Sequence, residues 1–237
     1  LEAFKPQELA NVMWALAKLR FQRPEVITWL CVASMGKLEA FEPQDLANVM
    51  WALAKLRFQR HEVIAWLCTA SMEKLEAFEP QHLANVMWAL AKLGIQRPED
   101  MNRLCTVSME KLEAFKPQEF ANVMWALAKL EFHRPDVMER LCTASIGKLE
   151  AFKPQELANV MWALATLRFQ WPEVMKRFCA ASMKKLEAFE PRDLANVMWA
   201  LAKLGIHRPE DMEQLCTASI GKLAAFEPQG LANVMWA

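Results

Sequence analysis

The 237-residue chain carries 28 basic and 28 acidic residues, so its formal net charge is zero, and no global field steers it toward nucleic acid or a membrane surface. Hydrophobic residues make up 54% of it, ample for a packed interior. No apolar run approaches the roughly 18 residues a transmembrane helix needs, and neither membrane insertion nor a signal or transit peptide is read from it.

In chain order, Leu1-Glu2-Ala3-Phe4-Lys5 reads as a link from a preceding unit. Pro6 stands in what would be the first turn of a helix, where proline is tolerated. Apolar residues follow at 9, 12, 13, 16 and 19, the spacing of an amphipathic helix. The pattern predicts helix A from about Pro6 to Leu19. Arg20-Phe21-Gln22-Arg23 makes a short turn, and Pro24 opens helix B, with Glu25 at the positive end of its dipole. Val26, Ile27, Leu30, Cys31, Ser34 and Met35 form its expected buried face, and the helix is expected to run on toward Lys37 and Leu38.

Helix A then returns. The stretch Leu9-Ala10-Asn11-Val12-Met13-Trp14-Ala15-Leu16-Ala17 begins again at Leu46, Leu83, Phe120, Leu157, Leu194 and Leu231. Trp14, Trp51, Trp88, Trp125, Trp162, Trp199 and Trp236 keep a step of 37 residues without slippage. A fixed period in this range marks a solenoid, in which each unit buries its core against its neighbours. The predicted fold is all-α: an α-solenoid of 37-residue helix-turn-helix repeats. They occupy 1–37, 38–74, 75–111, 112–148, 149–185 and 186–222, with a partial unit at 223–237, as one array over 1–237. A chain that starts in mid-repeat and stops inside a helix reads as a piece of a longer array. Its uncapped ends are expected to fray or self-associate.

The cysteines, Cys31, Cys68, Cys105, Cys142, Cys179 and Cys216, keep the same step. Equivalent positions in stacked repeats lie about 8–10 Å apart, beyond the roughly 7 Å that a disulfide spans. They read as reduced, buried thiols, too evenly spread to gather a zinc ion. His61, His82, His133 and His207 fall at three different repeat positions, and no phosphate-binding glycine loop is present. No enzymatic role, cofactor, metal or small-molecule substrate is expected.

On a helical wheel, Gln7, Glu8, Ala15 and Lys18 lie within about 60° of Asn11, with Leu9, Met13 and Leu16 opposite. The asparagines Asn11, Asn48, Asn85, Asn122, Asn159, Asn196 and Asn233 never change between units, although they head a polar face. Lys18, Lys55, Lys92, Lys129 and Lys203 run parallel to them, with Thr166 interrupting the row in the fifth unit. The position before the repeated stretch varies: Glu8, Asp45, His82, Glu119, Glu156, Asp193, Gly230.

These residues resemble those of octotricopeptide repeat proteins. The matching text is Phe41-Glu42-Pro43-Gln44, then Leu46-Ala47-Asn48, then Trp51-Ala52-Leu53-Ala54-Lys55-Leu56, with Arg23-Pro24-Glu25 and Trp29 as a reduced form of the second-helix signature. Only Trp29 and Trp66 keep that tryptophan, His61 replaces the turn proline in the second unit, and the family's nominal period is one residue longer. The resemblance implies paired antiparallel helices in a right-handed superhelix. It also implies RNA binding in chloroplasts or mitochondria in support of transcript stability, processing or translation.

Two functions follow. In the first, the array binds single-stranded RNA, with about one base read per unit. The asparagine amides then meet base edges, the lysines meet phosphates, and the varying position selects. In the second, the array is a protein-interaction scaffold or structural subunit of a larger organellar assembly, the asparagines bond backbone groups between repeats, and the lysines are a solvated face. Five acids in the varying row argue against a phosphate chain beside them. Arg23, Arg60, Arg97, Arg134 and Arg208 form a further basic row, with pairing to acids such as Glu25 and Glu62 as its bland explanation.

Overall fold

The computed structural model describes residues 3–236, with side chains through residue 232. The described residues form thirteen α-helices and no strand. The A helices are α1 (Pro6–Lys18), α3 (Pro43–Leu56), α5 (Pro80–Leu93), α7 (Pro117–Lys129), α9 (Pro154–Thr166), α11 (Pro191–Lys203) and α13 (Pro228–Trp236). The B helices are α2 (Pro24–Met35), α4 (His61–Glu73), α6 (Pro98–Glu110), α8 (Pro135–Ile146), α10 (Pro172–Met183) and α12 (Pro209–Ile220). This is the α-solenoid that the 37-residue period predicts. No helix among the described residues is long and apolar enough to cross a membrane.

Each boundary has a local cause. Every A helix starts on the proline that the sequence places there, and every B helix except α4 does the same. Helices α1, α3, α5, α7, α9 and α11 all end in one tight turn. The amide five residues on bonds back to a core leucine's carbonyl, as Phe58 N to Leu53 O at 2.9 Å and Ile95 N to Leu90 O at 2.9 Å. That turn needs a left-handed residue. Gly94 and Gly205 supply it at φ +67° and +65°, whereas Arg20, Arg57, Glu131 and Arg168 are held there despite carrying a Cβ.

Helix B is shorter than its sequence suggests. Helix α2 stops at Met35, and Leu38–Ala40 forms a separate 3-10 turn, repeated at Leu75–Ala77, Leu112–Ala114, Leu149–Ala151, Leu186–Ala188 and Leu223–Ala225. The break turns the lysine at the helix end back onto the previous repeat. Lys74 Nζ donates to the Glu39 and Phe41 carbonyls at 2.7 and 2.6 Å, and Lys111 does the same to Glu76 and Phe78 at 2.7 and 2.8 Å. Lys185 holds Glu150 and Phe152 likewise, and Lys222 holds Glu187 and Phe189. The phenylalanine that closes each link plugs the core: Phe41, Phe78, Phe115, Phe152 and Phe189 are buried.

By internal packing the chain divides into two compact units, Leu1–Ala114 and Phe115–Ala237. In the first, α1 packs on α3 and α3 on α5; in the second, α7 packs on α9, α9 on α11 and α11 on α13. Within each unit the A helices approach one another far more closely than the B helices do. The small residues on their flanks permit this: Ala47, Ala54, Ala84, Ala91, Ala121, Ala128, Ala158 and Ala165 are all buried. The A side is therefore the shorter, inner side of each unit. None of the six cysteines is in a disulfide, and all but Cys216 are buried. Burial pushes the Cys31, Cys68 and Cys142 thiols up to about 12 and Cys179 to about 11, leaving them unreactive thiols at neutral pH.

Candidate nucleic-acid interface

Asparagine, tryptophan and lysine stand at i, i+3 and i+7 on each of the A helices α1, α3, α5, α7 and α11, as in Asn48, Trp51 and Lys55. Those intervals place all three on one helix face. Asn11 is exposed, and Asn48, Asn85, Asn122, Asn159 and Asn196 are half-buried. The side-chain amides of these six make no hydrogen bond to the rest of the described residues. The expected bond to link backbone, which would have explained an invariant asparagine, is not made by them. The side chain of Asn233 lies outside the described residues.

The tryptophans form a ladder beside this row. Trp14 and Trp51 lie 6.4 Å apart between ring centroids, Trp51 and Trp88 6.5 Å, and Trp125 and Trp162 6.3 Å, each pair tilted by 31–33°. They pack between repeats but remain partly open; Trp51, Trp88, Trp125, Trp162 and Trp199 are half-buried and Trp14 is exposed.

Lysines lie over the seams of the ladder. Lys18 Nζ is 4.9 Å from the Trp14 ring and 5.3 Å from Trp51, and Lys55 Nζ is 5.3 Å from Trp51 and 5.0 Å from Trp88. Lys203 sits over Trp199 at 6.0 Å. Lys92 and Lys129 are exposed at the equivalent positions. The rings hold Lys18, Lys55 and Lys203 by their negative faces. Partial burial lowers the Lys55 pKa, and the neighbouring Lys92, Lys18 and Arg20 charges lower it further. Lys55 therefore stands among like charges that an anion would relieve. In the fifth unit Thr166 donates to the Trp162 carbonyl at 2.8 Å instead.

The varying position has a local job. Glu8, Asp45, His82, Glu119, Glu156 and Asp193 each accept from the backbone N–H three residues earlier, at 2.6–3.3 Å. That interaction satisfies an otherwise unpaired donor at the helix start. The choice among Glu, Asp and His is thus a choice among acceptors; Gly230 has no side chain to accept with. Asp45, Glu119 and Asp193 are buried, and burial raises their pKa values against the lowering effect of the backbone bonds. Burial lowers that of His82. The acids lie at helix starts and the lysines at helix ends, ten residues on and about 15 Å away along the axis. The acidic row and the lysine row do not share a groove edge.

Three members of the second basic row pair with nearby acids, as the bland explanation expects, and two do not. Arg97 bonds Asp100, Arg134 bonds Asp136 and Arg208 bonds Asp211, whereas Arg23 and Arg60 lie over the Phe21 and Phe58 rings at 5.9 Å. Glu25 and Glu62 are not the partners. Sequence reasoning also missed the lysine clips at 37, 74, 111, 148, 185 and 222, although their 37-residue step was visible. Among the described residues, no group of three His, Cys, Asp or Glu side chains is placed to hold a metal ion.

Compared with known families, the chain matches over residues 1–237 the family model described as RNA-editing substrate-binding complex 6 protein. No curated protein matches it.

Proposed function

The chain belongs to the RNA-editing substrate-binding complex 6 protein family, and from that premise we propose that it binds single-stranded RNA along the A-helix face as a component of an organellar RNA-editing assembly, with no catalytic step of its own. The observation that carries this reading is the asparagine row: six amides with donors and acceptors to offer and no partner among the described residues. An amide can both donate to and accept from a base edge. The tryptophan ladder offers partly open aromatic surface beside it, and base–aromatic stacking tolerates any base. The lysine row supplies charge for phosphates. The octotricopeptide resemblance supports the same reading, with each unit taking about one base. Because the varying position needs only an acceptor for the helix start, base choice is assigned to the asparagines first and to the varying residues second.

Selection from a random RNA pool, followed by binding measurements at several salt concentrations, tests this. The expected result is an enriched short motif and a negative salt slope. Changing Lys18, Lys55 and Lys92 together to Ala removes three phosphate contacts and should flatten the slope by about 2, at roughly 0.7 per contact for a single strand. Changing Asn48 and Asn85 to Ala should erode motif preference while leaving the slope unchanged. No enrichment, together with indifference to the lysine changes, would sink the RNA reading.

One observation favours a protein contact as well. Trp29 is 63% exposed, Val32 61% and Trp66 42% on the B helices of the first unit. Large apolar side chains gathered on a surface mark interaction sites, and the equivalents of Trp29 and Trp66 in the next three units are Arg103, Arg140 and Arg177. A folded protein without RNA affinity would make this face, and a scaffold role within the assembly, the primary function.

A further inference from the structure

The near-identity of the repeats makes each departure from the pattern informative, and several departures meet at one place. Where five repeats carry Arg23, Arg60, Arg97, Arg134 and Arg208, the fifth has Trp171. Where the others carry Thr28, Ala65, Asn102, Glu139 and Glu213, it has Lys176. Both residues line a cavity of about 470 Å³ between the A–B turns of the fifth and sixth repeats, within the second unit. The facing wall is Leu204, Gly205 and Ile206. Gly205 stands where other repeats have Arg20, Arg57, Glu131 or Arg168, and a Cβ built on it would meet nothing within 4 Å, so the space above it is open. At Gly94 the preceding repeat offers Arg60 rather than an indole. Bare glycine and tryptophan coincide only here.

The chemistry of the cavity is specific. Trp171 is half-buried, and the Phe169 ring meets it nearly edge-on at 6.3 Å and 67°, which fixes the indole. Met175 and Leu204 are buried, making the walls apolar. Two cations complete the lining: Lys176, exposed and without an ion-pair partner among the described residues, and Arg208, tied to Asp211. The volume lies in the range of small-ligand sites, which combine apolar walls with a few polar groups that fix orientation. A flat aromatic ring seated against an indole and tethered to an anion near a lysine satisfies all of these features. We propose that this cavity binds a nucleotide: the base lies on Trp171 and the phosphate meets Lys176. The fifth repeat, which lost its ladder lysine to Thr166, thereby regains a phosphate contact at the turn edge. The nucleotide comes either from a strand or as a free mononucleotide. The strand source rests on the RNA reading above; the mononucleotide source does not.

The test follows the indole N–H signal that disappears in Trp171→Leu, by 15N-edited NMR. Adenosine 5′-monophosphate, adenosine and a single-stranded RNA oligonucleotide are titrated separately. The expected result is a saturable shift of that signal with the monophosphate and a weaker response to adenosine. Lys176→Asn, which restores the residue of the third repeat, should abolish the difference between the two. Trp171→Leu, read by calorimetry, should weaken monophosphate binding by roughly fivefold or more, as loss of base–aromatic stacking requires. A shift with the oligonucleotide that the monophosphate competes away assigns the strand as source; a shift with the monophosphate alone assigns the free nucleotide. Absence of a saturable shift with either overturns the proposal. If the signal stays still while the ladder lysines retain their salt slope, only the pocket fails. If it shifts while the ladder variants change nothing, only the ladder reading fails.

Discussion

Lys74→Met tests what holds one repeat to the next. The Lys74 ammonium donates to the carbonyls of Glu39 and Phe41, 35 and 33 residues back, at 2.7 and 2.6 Å. Those carbonyls belong to the link between repeats, whose own amides are used up within the turn: Ala40 N bonds Lys37 O and Phe41 N bonds Leu38 O. Hydrogen bonds from a charged donor contribute about 1.5–3 kcal/mol each. Two opposing effects reduce the total. Lys74 is only half-buried, so its partners regain water when it is removed, and ordering a lysine costs up to about 2 kcal/mol of rotamer freedom. Methionine keeps most of the apolar stem, so the packing term stays small. The expected loss is about 2 kcal/mol. For a chain of this size that corresponds to a fall in melting temperature of roughly 4–8 °C. In a repeat protein the damage should concentrate at the broken interface, because stability is a sum of unit and nearest-neighbour terms. Hydrogen exchange should therefore accelerate at the Ala40 and Phe41 amides and across α1 and α2, with α5 and α6 unaffected. Chemical denaturation with exchange mass spectrometry measures both. A variant within 0.5 kcal/mol of the parent, with unchanged exchange at the link, would show that burial of Phe41 alone holds the link.

Two further outcomes follow from single positions in the repeats. His61→Pro should stabilise the chain by about 0.4–1 kcal/mol in thermal or urea melts, because position 61 begins α4, no bond is made by its amide, and Arg60 already has the extended backbone, φ −112° and ψ 109°, that precedes proline; a destabilised variant would refute that account. Glu119→Gln should keep the acceptor for Lys116 N and remove a buried charge. Because burial raises the Glu119 pKa in the fold, the native state binds its proton more tightly than the unfolded chain does. The stability linked to that proton is fully present below the unfolded pKa and is lost as pH rises through the folded one. Melts from pH 7 down into the carboxylate range should therefore show the variant's advantage shrinking as pH falls. An advantage that grows toward low pH would reverse the sign and refute the burial argument.

The order of helices was legible because it is written in local terms that repeat. Proline starts, an apolar stripe of helical spacing and a turn after each core leucine recur in unit after unit. Each depends on neighbours only a few residues away. The end of helix B was misread at Lys37 for the opposite reason. Nothing near that lysine shows that its ammonium reaches a carbonyl 33 residues earlier; only stacking brings the link of the previous repeat beneath it. The same holds for the acids at the varying position. In sequence they stand three residues from the asparagines and argue against a phosphate chain beside them. In the fold they turn back onto the helix start, and the helix axis separates the two rows.

The chain by itself determined its period, its helices, its buried stripe and the residues that differ between units, since all of these are properties of near neighbours in sequence. Tertiary structure alone decided which polar side chains are used up by the fold and which remain available. It tied the lysines at the ends of the B helices to carbonyls and the N3 acids to helix caps, left the described asparagine amides of the A helices without partners, and brought Trp171 and Lys176 to the same cavity as Gly205. Those outcomes depend on the distance between one repeat and the next. That distance is set by packing alanine flank against alanine flank, and no window shorter than the repeat contains it.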